Sequence, residues 1–266
     1  MPPSRAIVLA LLAGALLPAQ EGSGKPVDAA ASRPALPQPV EPVAVPAASD
    51  AAAKTTLAEV QKMLAGRATI AQRLEAVQKL GAASHKSFVR PLQNLVRNDP
   101  ALTVRRGAAD ALARQPTKET RPVLLNLLQD EKVEQAPELL ASLVTALGHN
   151  GYQTKDWDLI EKMFGREFGP TYVPLQKAVL HLARTKKEKQ AVPLLLQHID
   201  EPAPENVDAA DNPPAEYWER RWKAWAVWKG EVKDTLFAIT GQRFSTRQEA
   251  VLWLRANGQR LGIPGG

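Results

Sequence analysis

Apolar positions along the chain recur with a helical period, in pairs of short segments that themselves repeat. Four segments end alike: RLEAVQKLG, RRGAADALA, ASLVTALG and AVLHLA. Their last leucines are Leu80, Leu112, Leu147 and Leu182, separated by 32, 35 and 35 residues. Three other segments begin alike: RPLQNLVRND from Arg90, RPVLLNLLQD from Arg121 and VPLLLQHID from Val192. Each carries a proline, then aliphatic residues at helical spacing, then an aspartate. A period in this range predicts a helical solenoid with one hairpin per repeat.

The clearest unit is NDPALTVRRGAADALA. Asp99 is expected to cap the second helix of its hairpin, with Pro100 at the first helical position. Val104, Ala108, Ala111 and Leu112 then share one face, and their small side chains let neighbouring helices approach closely. Pro91, Pro122 and Pro193 fall within first helices. Each should bend its helix unless it sits in the first turn.

These residues resemble the HEAT-repeat family. In that pattern a proline-containing first helix, a turn aspartate and a V-R-x-x-A-A-x-A-L second helix recur, matched here by Pro91, Asp99, Val104, Arg105, Ala108, Ala109, Ala111 and Leu112. The third repeat lacks the V-R pair and carries Pro137 instead, and the fourth, about Tyr152 to Arg184, has no clear proline–aspartate signature. The tail KDTLFAITGQRFSTRQEAVLWLRANG resembles the closing segment of exported bacterial HEAT-repeat proteins through Thr240, Gly241, Gln242 and Phe244. Val251 stands where a tryptophan is common, with Trp253 two residues on, so the aromatic contact there should be rebuilt. The resemblance implies an all-α fold: an α-α superhelix of about five hairpins with a C-terminal helical cap. Gly241 should end a helix over Val232–Ile239, and Ser245 should start a capping box with Gln248 for a last helix through Arg255.

Composition then divides the chain. Residues 1–19 read as a secretory signal: Arg5, the apolar run from Ala6 to Leu17, and Ala19 as a cleavage point. Residues 20–53 are rich in proline, alanine and valine and read as an extended linker. The array is expected over 54–229, interrupted at 201–213 by an acidic surface loop, and the cap over 230–266. The expected location is the periplasm or cell envelope. The chain has no cysteine, which removes disulfides, thiolate metal sites and thiol catalysis.

Catalytic chemistry is hard to find. His85, His149, His181 and His198 are scattered, without the close pairing of a helical zinc site. No phosphate loop or nucleophile elbow is present. Asp156 and Asp158 flank Trp157, and one of them is expected to cap a helix that buries Trp157 and Ile160. We therefore expect no catalytic residue, cofactor or metal, and a scaffold whose main partner is another protein.

Charge supplies the remaining clue. Setting aside Arg5 and the two basic and four acidic linker residues moves the formal charge from +6 to +7. Arg73, Arg105, Arg106, Lys177, Arg184, Arg220 and Lys223 belong to second helices, which the resemblance places on the concave side. Such a stripe suits an acidic protein or an anionic polymer, and equally an ordinary solubilising surface. The alternative is a nucleic-acid-binding, glycosylase-like HEAT protein using Trp218, Trp222, Glu219 and Arg220, against which the export signal argues. In YWERRWKAWAVWKG, Trp218, Trp222, Trp225 and Trp228 share one side of a helix and are expected to plug the end of the array, with the stem of Arg221 along the rings.

Overall fold

The computed structural model describes residues 44–204, 206 and 209–263. The expected signal at 1–19 and most of the linker lie outside the described residues. The described chain is all helical, with twelve α-helices and no strand. Five hairpins follow one another. They are α1 (Asp50–Leu64) with α2 (Ile70–Gly81), α3 (Val89–Asn98) with α4 (Leu102–Leu112), and α5 (Thr117–Leu128) with α7 (Pro137–His149). Then come α8 (Trp157–Phe164) with α9 (Val173–Lys186) and α10 (Val192–Gln197) with α11 (Ala215–Thr240). The one-turn α6 (Glu131–Glu134) interrupts the third hairpin, and α12 (Arg247–Leu261) closes the array.

The second helices pack in an unbroken row: α2 on α4, α4 on α7, α7 on α9 and α9 on α11. Leu80, Leu112, Leu147 and Leu182, the residues that set the period, are all buried in this row. Alanines at 108, 109 and 111 are buried with them, which is why α4 can lie close to both neighbours.

Polar ties at the hairpin junctions fix the stacking. Buried Gln115 donates from Nε2 to the carbonyls of Leu80 (3.1 Å) and Ala83 (3.2 Å) at the end of α2. One repeat later, buried Asn150 donates from Nδ2 to the carbonyl of Gln115 (2.6 Å). Helix-end carbonyls lack partners within their own helix, so side chains of the next repeat satisfy them. Buried Glu188 continues the series, accepting from the Tyr152 hydroxyl at 2.7 Å.

Several local expectations need correction. Asp99 does not cap α4, whose N-cap Ala101 makes no side-chain hydrogen bond. Its Oδ1 instead accepts from the Ala101 amide (2.9 Å), folding the turn ahead of the helix and leaving Pro100 outside it. Asp156 likewise makes no capping bond to α8; its Oδ2 accepts from the Gln153 amide at 3.0 Å, closing a 3-10 turn at Thr154–Asp156. Pro91 and Pro193 sit in first turns, and only Pro122 lies inside its helix.

The ends of the array also differ from what the sequence predicts. Helix begins at Asp50, inside the expected linker, and Ala47 just before it bridges to Ser84. α11 is one helix of 26 residues running through Gly230, where the cap was expected to begin. It ends at Gly241 in the left-handed conformation (φ 74°), as a C-terminal glycine permits. The N-cap of α12 is Thr246, one residue later than expected, accepting from the Glu249 amide at 3.2 Å. Phe244 and Trp253 meet edge to face at 5.6 Å, which is the rebuilt aromatic contact of the tail. The repeat aspartate Asp200 accepts from the Arg247 amide at 3.2 Å, joining the fifth hairpin to the cap.

Candidate functional site

The seven basic residues singled out by the sequence do not form one patch of equivalent charges. Arg73 and Arg105 hold the array together. Arg73 Nε lies 2.9 Å from Asp99 Oδ2, an ion pair without the alignment of a hydrogen bond, while its Nη1 donates to the Ala68 carbonyl at 2.7 Å. Arg105 donates from Nε to the Val96 carbonyl (2.7 Å) and from Nη2 to the Lys132 carbonyl (2.9 Å). Both guanidiniums thereby tie a second helix to neighbouring segments.

Of the other five, four are exposed. Arg106 is exposed and meets Glu138 only at 3.4 Å. Lys177 pairs with Glu231 at 2.8 Å, joining α9 to α11. Arg184 is half-buried beside His181, its Nη2 3.4 Å from the His181 Nδ1. Burial, with the Arg184 charge second, lowers the His181 pKa. Lys223 pairs one turn along α11 with Glu219 at 2.6 Å, and this contact holds the Glu219 carboxyl below its ordinary pKa. Arg220 is exposed and has no ion pair among the described residues.

Around Arg220 the structure assembles residues that the sequence did not bring together. The loop after α8 contributes Gly165, Arg166, Glu167 and Phe168, and the first turns of α11 contribute Tyr217, Arg220 and Arg221, lining a cleft of about 280 Å³. Arg221 stacks its guanidinium 4.0 Å above the Phe168 ring and donates from Nη1 to the Tyr217 hydroxyl at 3.0 Å. Arg166 pairs with Glu134. The sequence marked Arg220 and Arg221 but not the cleft, because the Phe168 loop and α11 are separated by a whole hairpin's length and the loop has no motif.

The tryptophans of α11 divide. Trp228 is buried in the core against Phe164 (5.2 Å between ring centroids), and Trp225 packs on the core and donates to the His198 carbonyl at 3.1 Å. Trp218 is half-buried and Trp222 is 45% exposed, so the expected four-ring plug is a plug of Trp228 and Trp225. A second cleft lies at the other end, an apolar groove of about 600 Å³ lined by Leu57, Val60, Leu64 and Pro91. Among the described residues no group of three His, Asp or Glu side chains is placed to hold a metal, and no helix is long and apolar enough to cross a membrane.

No curated protein and no solved structure matches the chain. The family model described as HEAT repeats matches residues 57–143, from within α1 into α7. The same hairpin stacking continues beyond that stretch to α11, so the matched HEAT repeats are part of a longer array of stacked helical hairpins.

Proposed function

We propose that the chain is a non-catalytic interaction scaffold, exported to the cell envelope under the direction of residues 1–19, that binds a protein partner through the outward side chains of its second helices. The observation that carries this reading is the unbroken row α2, α4, α7, α9 and α11, stiffened by buried ties at Gln115, Asn150 and Glu188. Such a row presents a long pre-organised surface, and pre-organisation lowers the entropy cost of binding. HEAT repeats in general serve as interaction scaffolds and are generally non-catalytic. Arg106, Lys177, Arg184, Arg220 and Lys223 lie on this row and favour a partner surface of opposite charge.

The test is crosslinking and pull-down from an envelope fraction, combined with mass determination of the mature N-terminus. Recovery of one stoichiometric partner, with the N-terminus near residue 20, is the expected result. A full-length product with an intact N-terminus in the cytoplasm removes the export half of the reading, and recovery of no stoichiometric partner removes the scaffold half.

A further inference from the structure

The cleft between the Phe168 loop and α11 has a charge imbalance among the described residues. Three guanidiniums line it, those of Arg166, Arg220 and Arg221, against the single lining carboxylate of Glu167. Arg166 is already matched by Glu134. Glu167 is engaged with the Tyr172 hydroxyl, whose pKa it helps to raise after burial. That leaves Arg220 and Arg221 with no carboxylate partner among the described residues.

Arg221 is the more telling of the two. Its flat face is covered by Phe168 and its Nη1 is satisfied by Tyr217, but its Nε is buried and has no acceptor among the described residues. The ring contact and the hydroxyl hold the guanidinium in one orientation and carry no negative charge themselves. A guanidinium fixed in this way loses little freedom when it forms further hydrogen bonds. Arg220, its chain neighbour, is exposed at the cleft edge and completes a two-cation mouth.

We propose that this cleft receives an acidic peptide segment of the partner protein, with a carboxylate accepting from the guanidiniums of Arg220 and Arg221. The planar donor fork of arginine matches a carboxylate, and ionised partners make the stronger hydrogen bonds. The Tyr217 ring beside them offers an apolar surface to the residues flanking the carboxylate. The cleft takes one or two side chains, not a folded domain, so the recognised element is a short segment. This inference rests on the scaffold reading and specifies where and by what chemistry the scaffold binds.

Fluorescence anisotropy on the mature chain tests it, using a short fluorescein-labelled peptide of alternating glutamate and alanine and a glutamine counterpart. The glutamate peptide should bind and the glutamine peptide should not. Binding should weaken as salt rises, because the contact is ionic and near the surface. Arg220→Gln should weaken binding about tenfold, the size of one charged hydrogen bond, with Arg220→Lys restoring only part of it. Arg220 is exposed, so circular dichroism of these variants should match the parent.

Equal binding by Arg220→Gln and the parent overturns the inference, as does equal binding of the two peptides. Tighter binding of labelled single-stranded DNA than of the glutamate peptide, lost in Arg220→Gln, also overturns it and assigns the cleft to nucleic acid. A partner crosslinked equally by parent and Arg220→Gln overturns the cleft while leaving the scaffold standing. If no stoichiometric partner is recovered, the scaffold fails, and the anisotropy measurement still decides the cleft.

Discussion

Trp228 donates its indole N–H to Oε1 of Gln176 across 2.9 Å, and both side chains are buried between α9 and α11. The same Gln176 donates from Nε2 to the carbonyls of Phe164 (3.3 Å) and Glu167 (3.2 Å) at the end of α8. One amide thus links three helices at the fourth hairpin. Gln176→Leu keeps the approximate volume but leaves two buried polar groups, the Trp228 indole and the Phe164 carbonyl, and the part-buried Glu167 carbonyl without this partner. We expect a loss of about 3 kcal/mol, with each orphaned group costing on the order of 1–3 kcal/mol before relaxation. Urea unfolding followed by tryptophan fluorescence reads it. A loss below about 1 kcal/mol means that water or a neighbour takes over the amide's bonds.

The tryptophan helix shows why part of this site could not be read from sequence. At about 100° per residue, with Trp228 at zero, Ala224 falls near about −40°, Arg221 near about +20° and Tyr217 near about −20°. Those residues and Val232 form the inward stripe, while Trp225, Trp218 and Trp222 fall at about +60°, +80° and +120°. Hydrophobicity alone centres the stripe on the tryptophans. The structure centres it on Trp228 and brings the cation Arg221 inward, because Phe168 from a distant loop covers the guanidinium. Trp228→Ala should therefore cost about 4 kcal/mol, as for a large aromatic removed from a packed core. Trp222→Ala should change stability by less than about 0.5 kcal/mol. Thermal unfolding of the two variants separates them, and equal losses would restore the four-ring plug.

The periodic leucines predicted the hairpins because burial of one helix face is a local, repeating demand. Asp99 was misread for the opposite reason. Its role depends on Arg73, which comes from the preceding hairpin, and on a turn geometry that no spacing rule encodes. Asp99 is nearly inaccessible, so removing it strands the half-buried Arg73. We expect Asp99→Ala to cost about 3 kcal/mol, the lower part of the range for breaking a buried pair. Asp99→Asn, which keeps an acceptor for the Ala101 amide, should cost clearly less. Chemical denaturation at pH 7 compares them; equal losses would mean that the turn bond carries nothing.

Two glycines should respond in opposite directions. Gly151 has φ +100°, and a Cβ there would lie 2.9 Å from Thr117 Cγ2 and 3.1 Å from Arg121 Cβ. Its carbonyl also accepts from Arg121 Nε at 2.9 Å, so the backbone cannot turn away freely. Gly151→Ala should lose about 2 kcal/mol, combining backbone strain with crowding. Gly230 lies inside α11 with open space where a Cβ would go. Gly230→Ala should gain about 0.5–1 kcal/mol from helix propensity. Melting temperatures of the two variants should move in opposite directions from the parent.

His198 makes the stability of the fifth hairpin depend on pH. Its ring sits among Phe164 (5.0 Å), Trp228 (5.5 Å) and Phe168 (6.0 Å). Burial, with the charge of Arg221 second, pushes its pKa down to about 4 from an ordinary 6.5. Between those values the unfolded chain binds a proton that the folded chain does not, so stability falls as pH falls. The contribution is complete above pH 6.5 and is lost as pH drops through about 4, amounting to about 3 kcal/mol at most. Carboxylates titrate across part of the same window, so the parent's pH profile alone does not isolate the histidine. His198→Phe removes the titrating group and keeps a ring in the aromatic cluster. The difference in unfolding free energy between parent and His198→Phe should shift by about 2–3 kcal/mol from pH 7 to pH 4, with the parent losing more. A difference that stays constant over that range would show that the ring is solvated enough to protonate in place.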